Sequence, residues 1–474
     1  MTPRRAQSLD AFRGLAIILM VLSSMEAFGI LPSWMYHAQV PPPDHIFRPD
    51  LPGITWVDLV FPFFLFAMGA AFPFSIRRRM EKGSSKGKLC LDALLRALRL
   101  FVFAVFIEHF YPWNLGGDPV RASLLEFSAF FVMFMMFTRL PSGVPQKVGY
   151  LVKVAGYLAA IAMCCLLDFG NYPNLVENPM AFLSKSNIII LVLANMAFFA
   201  SVLYILTVEK AWLRLLVLLG IGALAATGLI FDQSFLRRAL DWSPVPWLYR
   251  FDFLKYLFIV IPGTLAGDCL WGWMKDNVTL EKGSRWRAWA AMTLSLVIIV
   301  MNVVCLFERY LLFNAIASVV LCAAGVALMW RSRSNDEQLW RIFMILGAVF
   351  LLIGLALEPL QGGIKKDHAT FSYLFVTSGL AFYAMTFFHV LCDHFGALTM
   401  TGFLRLSGQN PMIAYSAGQM FVLPLLAIFG LKGPFLAFCG TSPWLGFFLQ
   451  GVGLTTLVVL VTMFFSRCKL FWRT

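Results

Sequence analysis

Two of the chain's six histidines, His37 and His45, share one short segment, "WMYHAQVPPPDHIFRPDLPGITWVD", which ends at Asp58 just as a long apolar run begins. An imidazole titrates close to neutrality, so it can take a proton from an attacking group or attack in its own right. A nearby carboxylate would orient the ring and stabilise the imidazolium. Asp58 and Glu108, the latter in "FIEHFYPW", are candidates. Asp58 also has a plainer reading, because a carboxylate at a helix N-terminus gains from the macrodipole alone. A second polar segment, "EPLQGGIKKDHATFSY", holds Lys365, Lys366, Asp367 and His368. Its Gly-Gly pair allows close approach, and its polarity suits a sugar or a carboxylate. A merely solvated loop would have the same composition.

Such residues have to be positioned by helices in lipid. The chain has 474 residues, of which 60% are hydrophobic and 13% charged. Soluble domains hold about 45–50% apolar and about 25% charged residues. Apolar runs of roughly 20 residues recur along the whole length, each enough to cross a ~30 Å hydrocarbon core. A β-barrel would instead show short alternating segments. The expected fold is an all-α polytopic membrane protein of about 12–14 transmembrane helices. Hydropathy places candidates near 14–31, 56–76, 91–112, 122–138, 148–168, 187–207, 211–231, 251–273, 287–307, 310–330, 340–358, 373–392, 409–430 and 444–466. The basic N-terminus lacks a small-residue cleavage site and Glu26 interrupts the run behind it, so the first span is expected to stay rather than act as a signal peptide.

Charge orients the array. The alternate connecting segments, beginning with residues 1–13, carry 24 Lys and Arg, against 11 in the others. By the positive-inside rule both termini face the cytoplasm, and residues 32–55 face away from it. The net charge of +13 is then a topology signal toward an anionic leaflet, and no nucleic-acid partner is implied.

Ionisable groups at membrane depth are expensive and point to function. Asp10 and Arg13, in "SLDAFRG", are either a local ion pair or part of a site for an anionic cytoplasmic ligand. Asp268 and Asn410, in "SGQNPMIAY", lie toward the same side. The nine cysteines are scattered with no CxxC spacing, so neither a disulfide framework nor a metal site is expected, and Cys164-Cys165 reads as packing. No P-loop, GxGxxG or internal repeat is present.

At this point the motifs resemble a family. "RAQSLDAFRGLAIILMVL", a His-Ala pair in the first outer loop and "PGITWVDLVFPFFLFAMG" resemble the heparan-α-glucosaminide N-acetyltransferase family of transmembrane acyltransferases, in particular its bacterial members, some linked to N-acetylglucosamine use. Arg4 or Arg5, Ser8, Asp10, Arg13 and Gly14 match the family's R-x-x-S-x-D-x-x-R-G. Gly53, Thr55, Asp58, Val60, Phe61, Pro62, Phe64, Phe66 and Gly69 match its G-x-T-x-x-D-x-V-F-P-x-F-x-F-x-x-G. "GGIKKDHATFSYLFVTSGLAFY" and "SGQNPMIAY" resemble its later segments. The best match is residues 1–110, with further motifs in 358–430; residues 120–340 match only as hydrophobic spans.

The resemblance implies one acyltransferase domain over 1–474 in a bacterial inner membrane. It would pass an acetyl group from cytoplasmic acetyl-CoA to an amino sugar on the far side, through a loop histidine acting as base or acetyl carrier. Position after the first span and the following Ala38 make that histidine His37. The family spacing His-Ala-x-Trp-x-Gly is broken here by an insert that brings His45 closer to Gly53, so His45 is the second candidate, and Ser24 stands where the family has Asn. Asp58 completes the catalytic set. Asp10, Arg13, Arg96, Arg99, Arg405 and Asn410 are candidates for the coenzyme, while Glu108, Lys365, Lys366 and His368 are candidates for the acceptor. Pro62, Gly69, Pro262, Gly263, Gly267 and Pro411 are candidate helix breaks lining a cavity for the pantetheine arm. Large apolar faces allow a homodimer. The alternative is a secondary transporter of an amino sugar or muropeptide fragment, which would use the same carboxylates for proton coupling.

Overall fold

The computed structural model describes residues 6–141, 143–170, 172–230, 235–276, 283–332 and 334–472. Arg4 and Arg5, two of the motif positions, lie outside them. Among the described residues twelve helices are long and apolar enough to cross a membrane. They are α1 (Gln7–Met25), α2 (Trp56–Glu81), α4 (Pro119–Phe137), α5 (Gln146–Leu166), α6 (Ile188–Leu206), α8 (Phe251–Lys275), α9 (Arg285–Phe307), α10 (Leu311–Met329), α11 (Asn335–Leu357), α12 (Phe371–His394), α13 (Pro411–Ile428) and α14 (Leu445–Arg467). Two more fill the remaining expected positions: α3 (Lys86–His109), whose first half is basic, and α7 (Ala211–Ile230), apolar over Ala211–Thr227. The chain is an all-α polytopic membrane protein, and its only sheet among the described residues is a two-residue ribbon, Thr138–Arg139 against Phe471–Trp472.

Connections expected on one side do meet there. The ribbon joins the end of α4 to the C-terminal segment. Asp393 at the end of α12 accepts the Gln7 and Ser8 N–H groups, both at 3.1 Å. Asp336 at the start of α11 binds Trp273 Nε1–H at 2.8 Å and His394 Nδ1 at 2.6 Å. This is the terminal face. The connection 26–55 and the α11–α12 connection meet on the opposite, distal face.

Two expectations are corrected here. The first span starts at Gln7 rather than near residue 14 and ends at Met25 rather than near 31. Its first two orphan N–H groups are satisfied by Asp393, a cap supplied from the far end of the chain. The small residues are not breaks: α2 and α8 run through Pro62, Gly69, Pro262, Gly263 and Gly267. A Cβ on Gly69 would lie 2.2 Å from the Val260 carbonyl oxygen, and one on Gly263 2.2 Å from that of Phe66. The glycines let two backbones touch, the usual way to gain van der Waals contact between helices in lipid. Pro411 alone marks a break, opening α13 after Asn410 leaves the helical region at φ −133°.

Candidate active site

The distal centre grows from the start of α2. Thr55 precedes the helix in extended conformation, and Asp58, three residues on, reaches back to its backbone. Asp58 Oδ2 accepts the Thr55 N–H at 2.9 Å and the Ala38 N–H at 3.2 Å, while the Thr55 hydroxyl donates to the Tyr36 carbonyl at 2.8 Å. Tyr373 Oη, from α12, donates to the Asp58 carbonyl at 2.7 Å. One carboxylate thus caps α2 and holds the His37 segment against it. Asp58 is fully buried, and a charge there persists only with such partners.

The remaining carboxylate oxygen faces His37. Nδ1 of His37 lies 2.7 Å from Asp58 Oδ1, and Nε2 lies 2.8 Å from Asp367 Oδ2. The Gln39 N–H lies 3.4 Å from Nδ1, a much longer contact. An ionised Asp58 can only accept, so the 2.7 Å approach of its Oδ1 assigns the proton to Nδ1. Burial alone would push the His37 pKa down; the bonds to Asp367 and Asp58 outweigh it, with Lys366 opposing, and the pKa is raised. Burial would likewise raise the Asp367 carboxyl, but the His37 bond and the Lys366 charge hold it below its usual range. The two acids differ in setting: the Asp367 side chain is 42% exposed and that of Asp58 0%. Nδ1 therefore faces a fixed anion and Nε2 a rim residue.

Asp367 reaches the site because two connections interlock. The buried Gln39 amide accepts the Asp367 N–H at 2.8 Å, donates to the Asp367 carbonyl, and donates to the Pro49 carbonyl at 2.9 Å. Gly53 N–H donates to the Ile364 carbonyl at 2.8 Å. Gly363, at φ +100°, sits where a Cβ would come 2.3 Å from Pro52 Cβ, so the Gly-Gly pair serves the approach of one loop to the other. Glu358, ion-paired with Arg309, accepts the Ile364 N–H at 3.3 Å and holds the base of this loop. Lys366 Nζ lies 3.7 Å from Asp58 Oδ1.

The other expected residues fall into separate groups. His45, at φ +48°, packs its ring 4.2 Å from Phe28 and 4.7 Å from Tyr36, where neither ring nitrogen has a hydrogen-bond partner among the described residues. Lys365 pairs through its backbone with Thr370, and His368 is exposed. Glu108 Oε2 accepts from Asn187 at 3.4 Å, and Asn187 Oδ1 from Tyr415 Oη at 3.1 Å. Tyr415 also lines a small apolar cavity of about 30 Å³ among α1, α2, α3, α6 and α13. Phe61, one turn deeper than Asp58 on α2, lines it too.

On the terminal face Arg13 binds Asp10 at 3.2 Å and the Gly408 carbonyl at 2.5 Å. Arg405 binds Gln7 Oε1 at 2.6 Å and the Leu398 carbonyl at 2.7 Å. Asn410 donates to the Leu470 carbonyl at 2.8 Å and accepts the Trp472 N–H at 3.2 Å. Arg96 and Arg99 stand apart from these on α3, with Arg99 exposed. The structure brings together His37, Asp58 and Lys366 and leaves the other expected residues outside that cluster. It adds Asp367, Gln39 and Thr55. Asp367 was visible in its loop but carried no sign of its partner, and Thr55 could have been read from Thr-x-x-Asp, a variant of the capping box.

Comparison with known proteins gives two results. Residues 5–271 match the model of the family described as "Domain of unknown function (DUF5009)". A stretch of 122 residues is 32% identical to the heparan-alpha-glucosaminide N-acetyltransferase of Homo sapiens, covering 25% of this chain and 16% of that protein. The Mus musculus protein of the same name is 32% identical over 119 residues, with the same coverage. The match thus spans about a sixth of the curated relatives' length.

Proposed function

This chain belongs to the DUF5009 family, and from that footing we propose that it is a membrane acyltransferase carrying acetyl groups from acetyl-CoA on the terminal face to an amino sugar on the distal face. The observation that carries the reading is His37 held between Asp58 and Asp367, on a chain similar over a quarter of its length to proteins named as N-acetyltransferases.

The geometry suits that reaction. Asp58 fixes the ring and keeps the Nδ1 proton in place, so Nε2 is the working nitrogen. At rest Nε2 faces Asp367, and the doubly bonded ring holds its second proton. An acceptor arriving as an ammonium ion has in Asp367 a carboxylate to pair with. Once Nε2 and the ammonium have each given a proton to solvent, the neutral amine attacks the thioester carbonyl. Its proton passes to Nε2, the C–S bond breaks, and the thiolate leaves with that proton. In the two-step variant Nε2 attacks the carbonyl itself, thiolate departs, and the amine later displaces the acetyl group from the ring. A positioned base contributes typically ~10²–10⁴-fold, and holding thioester and amine together supplies the rest.

The two substrates start on faces separated by ~30 Å of hydrocarbon. The apolar cavity bordered by Phe61 and Tyr415 has room for about one water, so a thioester arm reaching Asp58 would have to part the helices that line it. Arg13, Arg405 and Asn410 have internal partners, so their part in binding the coenzyme is to shape its entrance.

The test uses sealed vesicles of both orientations with labelled acetyl-CoA outside and glucosamine within. Label transfer in inside-out vesicles only, abolished by His37→Ala, supports the proposal. Sugar accumulation without acetylation would replace it with a transporter.

A further inference from the structure

A groove in the lipid-facing surface lies on the terminal face, apart from the His37 centre. The helices α9 and α10 pack side by side, α9 starting on that face and α10 ending there. In their distal halves the Ser318 hydroxyl joins them, donating to Asn302 Oδ1 at 3.3 Å. Toward the terminal face an open groove of about 680 Å³ lies between them. Ala323, Val326 and Ala327 of α10 line its depth. Trp286 and Trp330 line its terminal-face end, 59% and 67% exposed.

The charges at that end are cationic. Arg287 and Arg331 line the groove, and among the described residues no carboxylate does. Arg287 is held in place: Nη1 lies 2.7 Å from Glu337 Oε2, and the guanidinium sits 5.5 Å over the Trp286 ring. Glu337 is occupied by that pair and by the Ser284 N–H at 2.8 Å. Arg331 is exposed, and its carbonyl takes Arg287 Nη1 at 3.4 Å. Its guanidinium has no hydrogen-bond or ion-pair partner among the described residues.

Polarity changes along the groove. From Trp330 to Ala323 the helix runs roughly 10 Å, and that depth is apolar. A free cation above a hydrocarbon slot fits a molecule whose anion and alkyl chain are joined end to end. A free phosphate would use only the rim, and an apolar peptide only the slot. Exposed tryptophans at span ends suit the membrane–water interface, where one side of the indole is apolar and its N–H meets headgroups. A guanidinium grips phosphate through two parallel N–H bonds.

We propose that this groove binds one anionic phospholipid of the terminal-face leaflet, with its phosphate on Arg331 and an acyl chain along Ala327 and Ala323. The site is independent of the acyltransferase reading. Full-length protein, delipidated in detergent, is titrated with phosphatidylglycerol and with phosphatidylcholine of the same chains, and bound lipid is counted by native mass spectrometry. One phosphatidylglycerol should bind more tightly than phosphatidylcholine. Arg331→Ala should weaken it roughly fivefold and narrow the gap between the two lipids, and Arg331→Lys should restore part of the loss. Ala327→Phe, which fills the slot from an exposed position, should weaken both lipids. Lys88→Ala, at an exposed residue outside the groove on the same face, should change neither.

Equal affinity for the two lipids would overturn the site. Equal losses in Arg331→Ala and Lys88→Ala, or no loss in Ala327→Phe, would overturn it as well. Displacement of phosphatidylglycerol by an equal concentration of glycerol phosphate would show that the rim takes a free phosphate and needs no chain, which also overturns it. Unchanged size-exclusion profiles show that the variants are folded.

Discussion

Asp58→Asn separates orientation of the histidine from the fold around it. In the native site Oδ2 accepts from the Thr55 and Ala38 N–H groups and Oδ1 faces His37 Nδ1 at 2.7 Å. An asparagine has one oxygen to offer, and two backbone donors claim it. Its NH₂ must then point at His37, where it can only donate. Nδ1 becomes an acceptor, the neutral ring carries its proton on Nε2, and the working nitrogen can no longer take one. Asparagine still caps a helix, so the loss in stability should be about 1–2 kcal/mol, the difference between a charge-assisted and a neutral hydrogen bond. The corresponding exchange in a serine-protease triad costs about 10⁴ in kcat. A loss of roughly 10³–10⁴ is expected here, close to that of His37→Ala. Initial rates of acetyl transfer in vesicles, beside thermal unfolding of the same samples, measure both. A folded Asp58→Asn protein within tenfold of wild-type kcat would refute the assignment of Nε2 as the working nitrogen.

Other perturbations read other parts of the site. Asp367→Asn removes a bond that raises the His37 pKa; since transfer needs the neutral ring, the rise of kcat with pH should begin at lower pH than in wild type. The same linkage has a stability arm. A raised His37 pKa stabilises the fold fully below the ring's unfolded pKa and is lost as pH rises through the folded one, so Asp367→Asn should flatten that decline in unfolding scans. Gln39→Ala strips three backbone groups of a buried partner, at about 1 kcal/mol each; hydrogen exchange should quicken in residues 364–370 and kcat/KM fall roughly 10–100-fold. His45→Ala removes a ring packed on Phe28 and Tyr36 and should leave kcat within about threefold while lowering the unfolding temperature. Gly263→Leu pushes a side chain against the Phe66 carbonyl and should reduce folded yield in detergent by fluorescence size-exclusion, whereas Gly272→Leu, where a Cβ meets nothing within 4 Å among the described residues, should not.

Much is legible in the sequence itself. Hydropathy is a property of about 20 consecutive residues, so the helices lie close to their expected ranges. Asp58 announced itself as a helix start, and His37 stood out because a near-neutral titrating group beside a membrane span needs a reason. Local chemistry was not enough for the other half of the clamp. Asp367 lies 330 residues from His37, in a loop whose composition alone also suits solvent. Gln39 looked like ordinary loop polarity, and only the approach of Gly363 to Pro52 makes its amide a clasp.

The first helix makes the same division. Its apolar run was plain, but its start at Gln7 depends on Asp393 at the far end of another span. The glycines of α2 and α8 read as breaks because the partner backbone that fills their missing side chains belongs to a different helix. Sequence by itself determined what must sit in lipid and which single residues could move a proton, since both depend on neighbours along the chain. Which carboxylate faces which nitrogen was decided only by tertiary structure, because that pairing depends on segments hundreds of residues apart packing within hydrogen-bond reach.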